Sequence, residues 1–282
     1  MRHATACVQL HTDTPTIPDS IPYQEVSSIL FHRYIGIDYS GASTPSKPLS
    51  GLQVFVADHR NEPRQQRDPE SRNWSRSRLA SWLRDLLLED TPTIVGIDHA
   101  FSYPLAAMDE PARRSWDDFL AWFEEWWQTQ EKTVLDCREA NLERLQGYGK
   151  EEILRLADRW VPTAMPVCGG WEANGPNVFY STHAGIPWLR WLRREAAGRV
   201  HFWPFDGFAV LAGKSVVAEV YPRVFRRRYP TRLTGDERDA WLVCQWLKDR
   251  DEKGLLAPYF QPPLDEEEAR RARIEGWILG VA

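Results

Sequence analysis

The alternation of apolar and polar residues changes period several times along the chain. Tyr34-Ile-Gly-Ile-Asp38 is a short apolar run that ends in an acid before the turn signal Ser40-Gly41, and it reads as a strand. Gly51 to Ala57 reads as a second strand, whereas residues 58–76 are polar and Arg-rich and show no clear third one. Leu79, Trp82, Leu83, Leu86 and Leu87 recur at helical spacing, and Asp90-Thr-Pro92 stops the helix they predict. Thr93-Ile-Val-Gly-Ile-Asp98 then echoes the first strand. Two such strands with a helix between them make a βαβ unit, so they are expected to run parallel.

Residues 105–205 read as mostly helical and are taken as an inserted helical subdomain. Ser115, with Asp118 three residues on, predicts a capped helix carrying Trp116, Phe119, Leu120, Phe123 and Trp127 on one face. Weaker helical patterns lie near 150–160 and 187–196, around a Pro/Gly-rich stretch from Pro162 to Pro176. His201-Phe-Trp-Pro-Phe-Asp206-Gly207 reads as an aromatic turn. Ser215 to Val220 reads as a strand ending at Tyr221-Pro222. The last core helix starts at Gly235, with Asp236 as its expected cap and Ala240, Val243 and Leu247 on its buried side. Residues 1–31, with Pro15, Pro18 and Pro22 and little periodicity, read as an irregular arm ahead of a domain over 32–282. No basic segment followed by an apolar one marks them as a secretion signal.

Composition narrows the classes. Over 282 residues, 43% are hydrophobic and 27% charged, which excludes disorder throughout. No apolar run approaches the ~18 residues of a membrane helix. Lys+Arg 35 against Asp+Glu 40 gives a net charge of −5, leaving room only for a local basic patch. Cys7, Cys137, Cys168 and Cys244 show no CxxC pair, so neither a zinc ribbon nor a disulfide framework is expected, and a reduced cytoplasmic setting fits.

The candidate chemistry lies in the acids. Asp38 and Asp98 end parallel strands, Glu219 lies near the end of a third, and Asp239 sits one turn into a helix near Asp236. Ligands of open α/β sheets gather at the carboxyl ends of strands. Carboxylates on strands ~4.8 Å apart can share divalent ions, as phosphoryl-transfer sites require. Oxygen donors without Cys or His match Mg²⁺ or Mn²⁺. Each acid also has an ordinary use: Asp38 in a turn, Asp98 as a cap, Glu219 paired with an arginine, Asp236 and Asp239 at a helix terminus. Glu237 is expected to point to solvent.

Gly36-Ile-Asp38-Tyr-Ser40-Gly41, Gly96-Ile-Asp98 with Pro104, Glu219-Val-Tyr221-Pro222 and Asp236-Glu-Arg-Asp239-Ala240 together resemble the ribonuclease H-like superfamily, and within it the DUF429 family of predicted nucleases. The resemblance spans roughly residues 34–280. It implies a mixed sheet flanked by helices with the Asp38 strand central, and metal-bound acids at Asp38, Asp98, Glu219 and Asp239. The sequence departs from it in offering only Asp85 and Glu89 on the first helix, and in the length of the 105–205 insertion.

The leading expectation is therefore a metal-dependent phosphodiester hydrolase, a nuclease, in which Asp38, Asp98, Glu219, Asp236 and Asp239 hold Mg²⁺ or Mn²⁺. Ser40 and the arginines at 223, 226, 227, 228 and 232 are candidates for binding nucleic-acid phosphates, foremost Arg223, Arg226 and Arg227. His99 is a candidate proton carrier or a packed strand-end residue. Two alternatives stand beside this reading. An ATP-dependent phosphotransferase of the actin–hexokinase type would use Ser40-Gly41-Ala-Ser43-Thr44 as a phosphate cradle, but no second Asp-x-Gly turn follows a later strand. A non-catalytic nucleic-acid or protein-binding module would keep the scaffold alone.

Overall fold

The computed structural model describes residues 29–145, 153–161, 163–168, 178–196 and 198–282. The arm read over 1–31 lies outside these residues up to 28, as does most of the stretch from 162 to 176. In chain order the elements are β1 (Arg33–Asp38), β2 (Gln53–Asp58), β3 (Arg64–Gln65), α1 (Arg76–Leu87), β4 (Thr93–Asp98), α2 (Trp116–Trp126), α3 (Val134–Ala140), α4 (Leu156–Arg159), α5 (Phe179–Ala196), β5 (Val200–Trp203), β6 (Ser215–Glu219), α6 (Gly235–Glu252) and α7 (Glu266–Glu275), joined by turns and short 3₁₀ segments.

The strands form one six-stranded mixed sheet in the order β3-β2-β1-β4-β6-β5. β1 pairs antiparallel with β2 and parallel with β4, as the echo between the two Gly-Ile-Asp runs predicts. β4, β6 and β5 continue in parallel. Two differences from the sequence reading stand out. β3, only two residues long, closes the edge where no strand was expected. Val200–Trp203, inside the span read as a helical insertion and an aromatic turn, forms the opposite edge strand. Four residues are too few to show a period before Pro204 ends the run.

The pleat divides the core into two layers. Ile35, Ile37, Val54, Val95, Ile97 and Val217 face α1, α2 and α5. Tyr34, Phe55, Ile94, Val216 and Ala218 face α6. α6 lies directly against β1 and β4 because both strands carry glycine at the contact. A Cβ at Gly36 would sit 2.2 Å from the Ala240 carbonyl oxygen, and one at Gly96 would sit 2.5 Å from Val243 Cγ1. The glycine of each Gly-Ile-Asp run thus brings the first turns of α6 close to the acids that end the strands.

The far end of α6 holds the start of the domain. The Asp251 carboxylate accepts hydrogen bonds from the backbone N–H of Leu30 and Phe31 and from the Tyr34 hydroxyl, at 2.9–3.1 Å. Phe31 is buried. The last residues of the span read as an irregular arm are therefore part of the packed domain. Asp251→Asn is expected to cost about 1–2 kcal/mol, since hydrogen bonds to a charged acceptor are replaced by bonds to a neutral one. Urea unfolding of both proteins measures it, and an unchanged midpoint would assign no role to this clamp.

Among the described residues no helix is long and apolar enough to cross a membrane. Cys137, Cys168 and Cys244 are unpaired and buried.

Candidate functional site

Asp38 and Asp98 are register partners at the carboxyl ends of neighbouring parallel strands. By parity along each strand they share the face of Gly36 and Gly96, the face that α6 covers. Asp236 and Asp239 stand in the first turns of α6. Asp236 also borders Ser40: a Cβ at Gly51 would lie 3.0 Å from Asp236 Oδ2 and 3.5 Å from Ser40 Oγ.

The four aspartates feel one another. Burial, then the charges of Asp98, Asp236 and Asp239, push the Asp38 carboxyl well above its ordinary range. Burial, then Asp239 and Glu219, do the same to Asp98, with Arg223 pulling back. Asp236 is raised by burial and by Asp239. Asp239 is the member with cationic partners, Arg226 at 3.2 Å and Arg238 at 3.0 Å.

Glu219 does not join this group. Its register partner is Ile97, one residue short of Asp98, so the pleat turns its side chain to the opposite face of the sheet. There it is buried, receiving bonds of 2.6 Å from both terminal nitrogens of Arg155 and one of 3.2 Å from the Phe101 N–H. Arg155 also binds Asp158 through Nε and Nη2, at 3.1 and 3.0 Å. Burial works against the guanidinium's charge, but Asp158 and Glu219 outweigh it and hold Arg155 well above its ordinary value. Burial pushes the Glu219 carboxyl up while Arg155 pulls it back. Glu219 is thus satisfied by an arginine, the ordinary use open to it in the sequence, and its assignment as a metal ligand beside Asp38 and Asp98 is corrected.

Other candidates are sorted by the same geometry. Asp236 is the second residue of α6 and not its cap; Thr234 holds the cap position without a side-chain bond. Glu237 accepts a hydrogen bond from Gln65 Nε2 at 3.2 Å, where solvent was expected. Arg226 is tied to Asp239, while Arg223, Arg227, Arg228 and Arg232 are exposed. His99 faces the α1/α5 layer, buried, with Nδ1 2.8 Å from the Ala100 carbonyl oxygen and its ring against Gly185. Burial lowers its pKa to about 4, so it is neutral and packed. Arg76 donates to the carbonyls of Ser40, Ala42 and Ser43 and so holds the loop after β1 from within. Arg155 and Asp158, which the sequence reading did not single out, border the same cavity as Asp98 and Glu219.

The donor chemistry of Asp38, Asp98, Asp236 and Asp239 fits a hard divalent cation, since each offers only oxygen and their repulsion is relieved by positive charge. Among the described residues no three His, Cys, Asp or Glu side chains are already gathered as a ligand set. Comparison of the chain with protein-family models, with curated proteins and with solved structures found no match to any.

Proposed function

We propose that the protein is a divalent-metal-dependent phosphodiester hydrolase acting on nucleic acid, a member of the ribonuclease H-like superfamily related to the DUF429 family. One observation carries the reading: Asp38 and Asp98 end two parallel strands in register under the first turns of α6, and Asp236 and Asp239 complete a group of carboxylates that raise one another's pKa. The mixed sheet with β1 in its interior supports the superfamily.

Asp38, Asp98, Asp236 and Asp239 would hold Mg²⁺ or Mn²⁺, which when bound supplies a more acidic water and neutralises charge on the phosphate. Asp38 and Asp98, raised by burial and repulsion, are suited to accept a proton from an attacking water. The guanidinium of Arg223 acts on Asp98 and is exposed, so it can meet a phosphate oxygen at the same place. Arg226 positions Asp239. Arg155 keeps Glu219 out of the site and supports the turn after β4 through the Phe101 N–H bond to that carboxylate. The Ser40–Ser43 loop, with three carbonyls turned to Arg76, is organised around a cation, which favours this reading over the phosphate cradle of a phosphotransferase.

The test is hydrolysis of labelled single-stranded and duplex DNA and RNA, with Mn²⁺ and with EDTA, by the parent and by Asp38→Asn. Cleavage that needs the metal and is lost in the variant is expected. Binding without cleavage of any substrate would favour the non-catalytic module, and neither binding nor cleavage would end the proposal.

A further inference from the structure

Beside the acids, on the β3 side of the sheet, lies a polar cavity of about 520 Å³ bordered by Ser50, Gln53, Gln65, Arg67, Arg72, Asn73 and the first residues of α6, Asp236 among them. Because Asp236 is also one of the carboxylates acting on Asp38, the cavity opens directly beside the proposed site.

Its walls are pre-organised. Gln65 Nε2 donates to Gln53 Oε1 at 2.7 Å and to Glu237 Oε1 at 3.2 Å, while Arg67 donates to Gln65 Oε1 at 2.5 Å. These bonds fix two amides and leave Arg67 with N–H groups to spare. Arg72 sits in a turn built on buried Asp68, which accepts from the Glu70 N–H, the Ser71 hydroxyl and the Arg78 guanidinium. The backbone of Arg72 is held at φ 63°, a left-handed conformation that a non-glycine residue adopts at a cost and that often marks functional positions. Among the described residues the Arg72 guanidinium and the Asn73 amide make no hydrogen bond or ion pair. The turn is rigid, yet the groups it presents are unused.

The chemistry of this wall selects a ligand. Arg67 and Arg72 offset the charges of Asp236 and Glu237, so the cavity accepts a phosphate that bare acids would repel. Amide and guanidinium groups match the donor–acceptor edges of bases. No aromatic ring borders the cavity, so bases are met at their edges and not by stacking. A volume near 520 Å³ lies within the ~300–1,000 Å³ of pockets that take one small ligand. It admits a nucleotide and is too small for a duplex.

We infer that this cavity binds one unpaired nucleotide next to the scissile phosphate, with its backbone phosphate on Arg67 and Arg72, so that the substrate is a single strand. The inference rests on the nucleic-acid reading of the neighbouring acids.

The experiment measures fluorescence anisotropy of an end-labelled eight-nucleotide single strand and of the same sequence as a blunt duplex, in EDTA over a range of salt. The proteins are the parent, the Arg67→Ala/Arg72→Ala variant, and an Arg194→Ala/Arg270→Ala control that removes equal charge from exposed sites elsewhere. The parent is expected to prefer the single strand. The cavity variant should bind it about tenfold more weakly or worse, with a salt slope flatter by about 1.4, at ~0.7 per phosphate contact. The control should bind like the parent, and thermal melts should be alike for all three. Parent and cavity variant binding equally, while the parent still binds or cleaves nucleic acid, would overturn the assignment and leave the proposed function standing. Preference for the duplex would overturn it as well. A parent that neither binds nor, with Mn²⁺, cleaves any nucleic acid would remove both readings together.

Discussion

Arg155→Met is expected to destabilise the protein by about 3–5 kcal/mol at neutral pH, because removal of one partner leaves buried charge uncompensated. Two carboxylates depend on this guanidinium, Glu219 and Asp158, and both are buried. Methionine keeps most of the volume, so the loss reports charge and not a cavity. The pH dependence follows from the sign of the change. In the variant, burial without Arg155 raises the Glu219 and Asp158 carboxyls above their unfolded values. The native state then binds more protons than the unfolded state, and stability falls as pH rises above about 4. The defect should therefore be largest at pH 7–8 and shrink toward pH 4. Adding Asp158→Asn and Glu219→Gln to Arg155→Met should recover a large part of the loss. Chemical denaturation across pH checks all three expectations. A pH-independent defect that the triple variant does not relieve would show that Arg155 acts through packing, and would reopen the assignment of Glu219.

How far the site was legible in the sequence depends on what each strand carries. Asp38 and Asp98 could be paired from sequence because the same Ile/Val-Gly-Ile-Asp pattern occurs twice, and equal patterns on parallel neighbours imply equal register. Glu219 could not be placed in this way. Every residue of Ser215–Glu219 is buried, so the strand shows no alternation and its faces are indistinguishable by polarity. Only the offset of one residue in the pairing, Glu219 opposite Ile97, decides the face, and register between distant strands is a tertiary fact. Arg155 was hidden for a related reason. It lies 64 residues before Glu219, in a segment whose only helix is four residues long, and no local spacing links the two.

At the last helix, local rules and tertiary contacts competed. Asp236 resembles a cap by type and position, but Thr234 occupies that place, and Asp236 is drawn toward Ser40 and the acids instead. Glu237 was assigned to solvent from helical angle alone. The two-residue strand β3 brings Gln65 to it, and a strand of that length has no period to read. The glycines that admit α6 were visible as part of a repeated motif. Their role as contact points became clear only with the helix in place.

Asp38→Asn should stabilise the metal-free protein at pH 7–8 and remove most of the stabilisation that Mg²⁺ or Mn²⁺ confers. Asp38 is a cleaner probe than Asp239, whose carboxylate would lose Arg226 and Arg238 on substitution. Every influence on Asp38, burial first and then Asp98, Asp236 and Asp239, raises its pKa. A carboxyl raised on folding binds protons more tightly in the native state, so its contribution to stability declines as pH climbs from the unfolded value near ~3.9 through the raised folded one. Asparagine carries no such penalty. The variant should match the parent near pH 4 and exceed it at pH 8 in EDTA. With metal the order reverses. A cation at 100 times its dissociation constant stabilises the native parent by about 2.7 kcal/mol, and a variant short of one ligand and one charge gains much less. Thermal melts in EDTA and with Mg²⁺, at pH 4.5 and pH 8, separate these contributions. An Asp38→Asn protein less stable than the parent in EDTA at pH 8, or equally stabilised by Mg²⁺, would show that the carboxylates at the ends of β1 and β4 are structural and that the cation binds elsewhere.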